Sequence, residues 1–92
     1  MKTKVVSFLA SGRGSNFRAV AGRIRDGHIP ARTGILICDR RDAGAFAIAD
    51  EFGMKSYFVD PKAYTDRRSH EEVVVRLLRE HGTDLVVAAG YM

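Results

Sequence analysis

The residues with the clearest chemical potential form one short run, Ser11-Gly12-Arg13-Gly14-Ser15-Asn16. Gly12 and Gly14 permit backbone angles that a Cβ would forbid, and they let a ligand approach the main chain closely. If a helix starts behind them, the N–H groups of Gly14, Ser15 and Asn16 converge at its positive end, where a phosphate fits. The Ser15 hydroxyl and the Asn16 amide add side-chain donors. Gly12, Gly14, Ser15 and Asn16 are therefore candidate substrate-binding residues. The same run also reads as a plain strand-to-helix turn in which Ser15 or Asn16 only caps the helix.

Two better-known phosphate motifs can be tested against this loop. A P-loop needs Gly-Lys-Ser or Gly-Lys-Thr at its end, and neither is present. A dinucleotide fingerprint needs a third glycine where Phe17 stands, although Asp39, after the second strand, could imitate a ribose-binding acid. A mononucleotide- or dinucleotide-binding module without catalysis thus stays open as an alternative.

The loop must be held by its neighbours. Val5 to Ala10, Gly34 to Cys38 and Leu85 to Ala89 are apolar nearly throughout, as suits strands of a parallel sheet covered on both faces. The last of these reads as a central strand. Ser56 to Val59 is more polar and reads as an edge strand ending at Asp60-Pro61. Three helical patterns alternate with the strands. Asn16 to Asp26 carries Phe17, Val20, Ala21 and Ile24 on one face, and Ala43 to Phe52 carries Ala45, Ile48, Ala49 and Phe52. Asp66 to His81 carries Val73, Val74, Leu77 and Leu78. Gly27, Gly53 and Gly82 follow as stops, and Asp66 is the candidate N-cap of the third helix, with Ser69 and Glu72 as a capping box one turn later. The order predicts an α/β fold, a parallel sheet of four strands with three helices on both faces, Rossmann-like, joined by right-handed crossovers.

Composition narrows the class. With 92 residues, 46% hydrophobic and 28% charged, the chain allows one globular domain and argues against disorder. An excess of 15 Lys and Arg over 11 Asp and Glu favours anionic partners. The pairs Arg40-Arg41 and Arg67-Arg68 lack an aromatic platform or a nucleic-acid-binding motif, so no nucleic-acid partner is expected. Lys2 and Lys4 before an apolar run faintly imitate a signal peptide, but the run is too short, and no segment has the length to span a membrane. Cys38 is alone and lies in an apolar run, so it reads as a packing residue in a reducing, cytoplasmic setting. His28, His70 and His81 lack a second ligand at metal-binding spacing, so no metal is expected. No Ser, His and acid set can be assembled.

The loop and three further segments together resemble the phosphoribosylglycinamide formyltransferase family. That family opens with an apolar strand followed by Ser-Gly-x-Gly-Ser-Asn and an apolar residue, here Ser11 to Phe17. Its second strand is followed by a polar pair and Asp-Ala; here Cys38-Asp39-Arg40-Arg41 departs from the usual pair, while Asp42-Ala43 matches. Tyr64-Thr65-Asp66-Arg67-Arg68 resembles its aromatic residue and polar turn with an Arg, and Asp84 to Met92 resembles its fourth strand, which ends Gly-Phe-Met or Gly-Tyr-Met.

The resemblance implies transfer of the formyl group of 10-formyltetrahydrofolate to the amine of glycinamide ribonucleotide, in de novo purine (IMP) biosynthesis. Residues 1–92 would be the phosphoribosyl-substrate-binding N-terminal half. Gly14, Ser15 and Asn16 would hold the phosphate and ribose end of glycinamide ribonucleotide. Arg67 would contact the formyl-folate, and Met92 would begin the segment lining the folate pocket. The family's catalytic Asn, His and Asp match no position up to residue 92, so the chain by itself is expected to be inactive. The Leu85 to Ala89 strand, built for burial, is expected to self-associate or to recruit a partner.

Overall fold

The computed structural model describes residues 3–89. Four strands form one sheet: β1 (Lys4–Ala10), β2 (Ala31–Cys38), β3 (Ser56–Phe58) and β4 (Leu85–Ala89). Three helices alternate with them: α1 (Ser15–Arg25), α2 (Ala45–Glu51) and α3 (Arg67–Glu80), with a short 3-10 turn at Pro61–Ala63. The sheet order is β3-β2-β1-β4 and every pair is parallel.

Strand alternation divides the interior in two. Val6, Phe8, Ala10, Leu36 and Cys38 point towards Phe17, Ala21 and Ile24 of α1 and Ala45, Ile48 and Ala49 of α2. Ile35 and Ile37 point the other way, towards Val74 of α3. Phe8 and Phe17 are fully buried with ring centroids 4.6 Å apart, which ties α1 to the middle of the sheet. Every helix thus starts at the carboxyl end of the sheet, and that end carries the loops on which a parallel sheet places its ligands.

β1 and β2 slip in register between Val6 and Phe8. The irregularity is built on a buried serine. The Ser7 hydroxyl accepts from the Ile35 N–H (3.1 Å) and shares a hydrogen bond with Thr83 Oγ1 (2.7 Å). Gly34 leaves room for it, since a Cβ there would collide with Ser7 Oγ and Val5 Cγ1.

The start of β2 and the place of β4 in the sheet differ from the sequence reading. β2 begins at Ala31, before Gly34, because Ala31, Arg32 and Thr33 pair with Lys4, Val5 and Val6 through the backbone, which needs no apolar side chains. β4 reads as central from its apolar run, yet among the described residues it pairs with β1 alone and lies at the edge. Leu85 and Val86 are accordingly 59% and 41% exposed. β3 is the opposite edge, as its polar character predicts.

Candidate anion-binding site at the start of α1

The loop leaves β1 at Ala10 and turns into α1 at Gly14. Gly14 is the N-cap, with φ 78° and ψ 25° in the left-handed region. Glycine is required there twice over. A side chain would strain the backbone, and a Cβ would stand 2.8 Å from Ala45 Cβ and 3.1 Å from Ala45 Cα. Gly14 is seated against the start of α2, and the Ala45 N–H donates to the Gly12 carbonyl (3.2 Å). Gly12 itself has no positive φ, and a Cβ on it would meet nothing within 4 Å. The fold therefore explains Gly14 and leaves Gly12 unexplained.

Neither Ser15 nor Asn16 caps the helix, contrary to the plain-turn reading. Both lie inside its first turn, exposed, and the cap makes no side-chain hydrogen bond. The first helical bond runs from the Arg18 N–H to the Gly14 carbonyl (2.8 Å). The N–H groups ahead of it have no acceptor within the helix. Among the described residues, no acceptor takes the N–H of Gly14, Ser15 or Asn16. The first turn has no acidic residue, while Arg23 and Arg25 sit in the last turn. The positive end of the α1 dipole is thus uncompensated and faces outward.

A second feature adjoins the loop; the sequence reading treats Asp39 only as an imitation of a ribose-binding acid and gives Ser11 no role of its own. Among the described residues, two buried side-chain polar atoms lack any partner, Ser11 Oγ and Asp39 Oδ1. Ala10 pairs with Cys38, so Ser11 and Asp39 are the next residues on two neighbouring strands. In the sequence each of these polar residues directly follows an apolar run. The charge of Asp39 is felt nearby. Burial first, and then Asp39, push the Cys38 thiol up to about 12, so Cys38 stays a protonated core residue and not a nucleophile.

The surrounding cations are partly engaged elsewhere. Arg18 forms an exposed ion pair with Glu51 (2.8 Å), and the Arg41 guanidinium lies 5.4 Å from the centre of the Phe58 ring. Arg67 begins α3 at the same end of the sheet, but α3 covers the face opposite α1. Arg67 is exposed and pairs with Glu71 one turn on (3.3 Å). It borders a groove of about 370 Å³ with Tyr64, Thr65, Asp66 and His70. The structure therefore brings Gly12, Gly14, Ser15 and Asn16 together and sets Arg67 apart from them. Met92 lies outside the described residues. No three His, Cys, Asp or Glu side chains among the described residues are grouped to hold a metal.

This arrangement can bind an anion, and comparison with known proteins gives it a family. Residues 3–92 match the model of the family described as formyl transferase. The phosphoribosylglycinamide formyltransferase of Bacillus subtilis is 34% identical over 89 residues, covering 97% of this chain and 46% of the relative. The chloroplastic phosphoribosylglycinamide formyltransferase of Arabidopsis thaliana is 33% identical over 94 residues, covering 99% of this chain and 32% of the relative. Among solved structures, glycinamide ribonucleotide transformylase 1 from Symbiobacterium toebii superposes with a TM-score of 0.95 at 36% identity, over 98% of this chain and 42% of that one. The chain spans about half the length, or less, of the relatives it matches. With the family model covering nearly the whole chain, and with its fold shared with the solved transformylase, the chain belongs to the formyl transferase family.

Proposed function

We propose that this chain supplies the phosphate-binding part of an enzyme that transfers the formyl group of 10-formyltetrahydrofolate to the amine of glycinamide ribonucleotide in purine biosynthesis. The observation that carries this reading is the open start of α1, where, among the described residues, no group takes the three successive N–H groups or bonds the two exposed polar side chains. The names of the relatives supply the substrate, and the loop supplies a place for its phosphate. In this reading the amides of Gly14, Ser15 and Asn16 take the phosphate oxygens, the Ser15 hydroxyl and Asn16 amide add donors, and Gly12 lets the ligand lie against the main chain. Arg67, in its groove beside Tyr64 and His70, contacts the formyl-folate, and Met92 begins the segment that lines the folate pocket.

Formyl transfer further needs attack by the amine, stabilisation of a tetrahedral oxyanion and removal of a proton. The loop contributes binding groups only, so those tasks fall to the portion of the relatives that this chain does not span. A cytoplasmic setting belongs to this reading, in keeping with the single free Cys38. The β4 edge, with Leu85 and Val86 exposed, is where the chain associates with itself or with a partner. Light scattering that shows one unchanging monomer mass over a wide concentration range removes that last element.

The decisive experiment is calorimetry with glycinamide ribonucleotide, or with a simple phosphate ester, on Ser15→Ala and Asn16→Ala. Each lost donor to a phosphate costs on the order of 1.5–3 kcal/mol of binding. Affinity unchanged in both variants takes the loop out of the site.

A further inference from the structure

The end of the sheet away from the α1 loop carries a second concentration of positive charge. A pocket of about 250 Å³ lies there, against the first residues of β2. Arg32, Thr33, Lys55 and His81 line it together with Gly34 and Gly53, and no Asp or Glu does. The groove beside Arg67, by contrast, includes Asp66, and the grooves along α3 include Glu71. A cavity lined by cations without a carboxylate is matched to an anion.

The fold brings these groups from three places. Arg32 and Thr33 stand at the start of β2, opposite Val5 and Val6 of β1. Lys55 immediately precedes β3, and its carbonyl accepts from the Leu36 N–H (3.0 Å), which ties it to β2. His81 ends α3, with Nε2 2.9 Å from the Tyr57 hydroxyl. When that hydroxyl donates, the ring hydrogen lies on Nδ1 and is left for a ligand. The register slip between β1 and β2 falls directly beyond Thr33, and such irregularities re-aim the side chains around them.

The protein makes no use of these cations itself. Among the described residues, Arg32 and Lys55 take part in no hydrogen bond, ion pair or ring contact, and the Thr33 hydroxyl has no partner. They are not needed as helix caps either. Carbonyls at the end of α2 are taken by the N–H groups of Phe52, Gly53 and Met54, and those at the end of α3 by His81, Gly82 and Thr83. Two like charges beside one cavity repel each other, and an anion between them removes that cost.

We propose that this pocket is a second anion site, which takes a phosphate group. An Arg fork, a Lys ammonium, a hydroxyl and an imidazole supply donors for several oxygens of one tetrahedral anion. The volume is below the range of sites for larger organic ligands, which begins at about 300 Å³, so it suits the phosphate group itself and not a whole nucleotide. The site stands at the opposite end of the sheet from α1, so its occupant does not compete with a ligand on the loop, and it does not depend on the reading given to that loop.

The test is a titration of the chain with inorganic phosphate at constant ionic strength, followed by amide NMR. Saturable shifts are expected at Thr33, Gly34 and Lys55, separate from those at Gly14, Ser15 and Asn16. Arg32→Ala and Lys55→Ala should each weaken the first set by about tenfold, the value of one hydrogen bond to a charged group, and leave the second set unchanged. Both side chains are exposed, so neither variant disturbs the core. Methyl phosphate is the second probe. Shifts of the same three amides show that the site accepts a phosphate ester, and shifts with inorganic phosphate alone assign it to the free ion. No saturable shift at Thr33, Gly34 and Lys55, or one that is unchanged when both Arg32 and Lys55 are replaced by Ala, overturns this inference and leaves the α1 loop untouched. Shifts at those three amides without any at Gly14, Ser15 and Asn16 uphold it and remove the phosphate reading of the loop.

Discussion

α1 and α3 start at the same end of the sheet and solve the same problem in opposite ways. Each exposes N–H groups that its own helix cannot satisfy. At α3 the protein provides the acceptor: Asp66 is the N-cap, in extended conformation, and its Oδ1 takes the Ser69 N–H at 2.7 Å. At α1 the N-cap is Gly14, which has no side chain to offer, and no group among the described residues takes the amides that follow. Good capping residues were within reach, since Ser15 and Asn16 stand immediately after it. The difference shows that an uncapped helix start is a property of the backbone path and not of a shortage of polar residues. One start is closed for stability, and the other is held open by a glycine that packs too tightly on Ala45 to be replaced.

The comparison breaks most visibly at Gly14. Gly14→Ala combines a left-handed φ with a Cβ 2.8 Å from Ala45 Cβ. The expected loss is about 2 kcal/mol, from backbone strain and overpacking together, read as a lower midpoint in urea denaturation. An unchanged midpoint means that the loop adopts another path and that the open amides are not fixed by it.

A smaller effect belongs to the closed start. The Ser69 N–H first, with the Ser69 hydroxyl adding to it, holds the Asp66 carboxyl below its ordinary range. A carboxylate with a depressed folded pKa stabilises the fold above its unfolded pKa, and that contribution is lost as the pH falls through the folded value. Asp66→Ala should therefore melt at a lower temperature than wild type at neutral pH. The gap should close in acid, once the carboxyl of the wild type is protonated. A gap of the same size at both ends of that range shows that the carboxylate charge is not what closes α3.

Much of this was legible in the residues. The alternation of apolar runs and helical stripes predicts all four strands, all three helices, the parallel sheet and β3 as an edge, because burial on two faces leaves a strong pattern. Asp66 is readable as a cap because capping acts through a side chain. What escapes the sequence depends on backbone or register. The left-handed angle that makes Gly14, and not Ser15 or Asn16, the cap is one case. The early start of β2 at Ala31 is another, and the pairing that sets Ser11 beside Asp39 exists only once Ala10 is opposite Cys38. α2 begins at Ala45 instead of Ala43, since Gly44 packs beside Arg13 and the Ala45 N–H is drawn to Gly12. The apolar run of β4 signals burial but not which neighbour provides it.

Gly12 gives the smallest expected change in stability and the sharpest separation of the two roles. Its φ is ordinary and its surroundings are open, so Gly12→Ala should leave the denaturation midpoint within about 0.5 kcal/mol of wild type. Nothing in the fold then accounts for a glycine, and the remaining reason is a ligand lying against the main chain where a methyl group would stand. Calorimetry with a phosphate ester should show weaker binding by Gly12→Ala although its stability is intact. Gly14→Ala, by contrast, should weaken both together. If Gly12→Ala binds as wild type does, the ligand does not cross that part of the loop, and the anion is held by the amides of α1 alone.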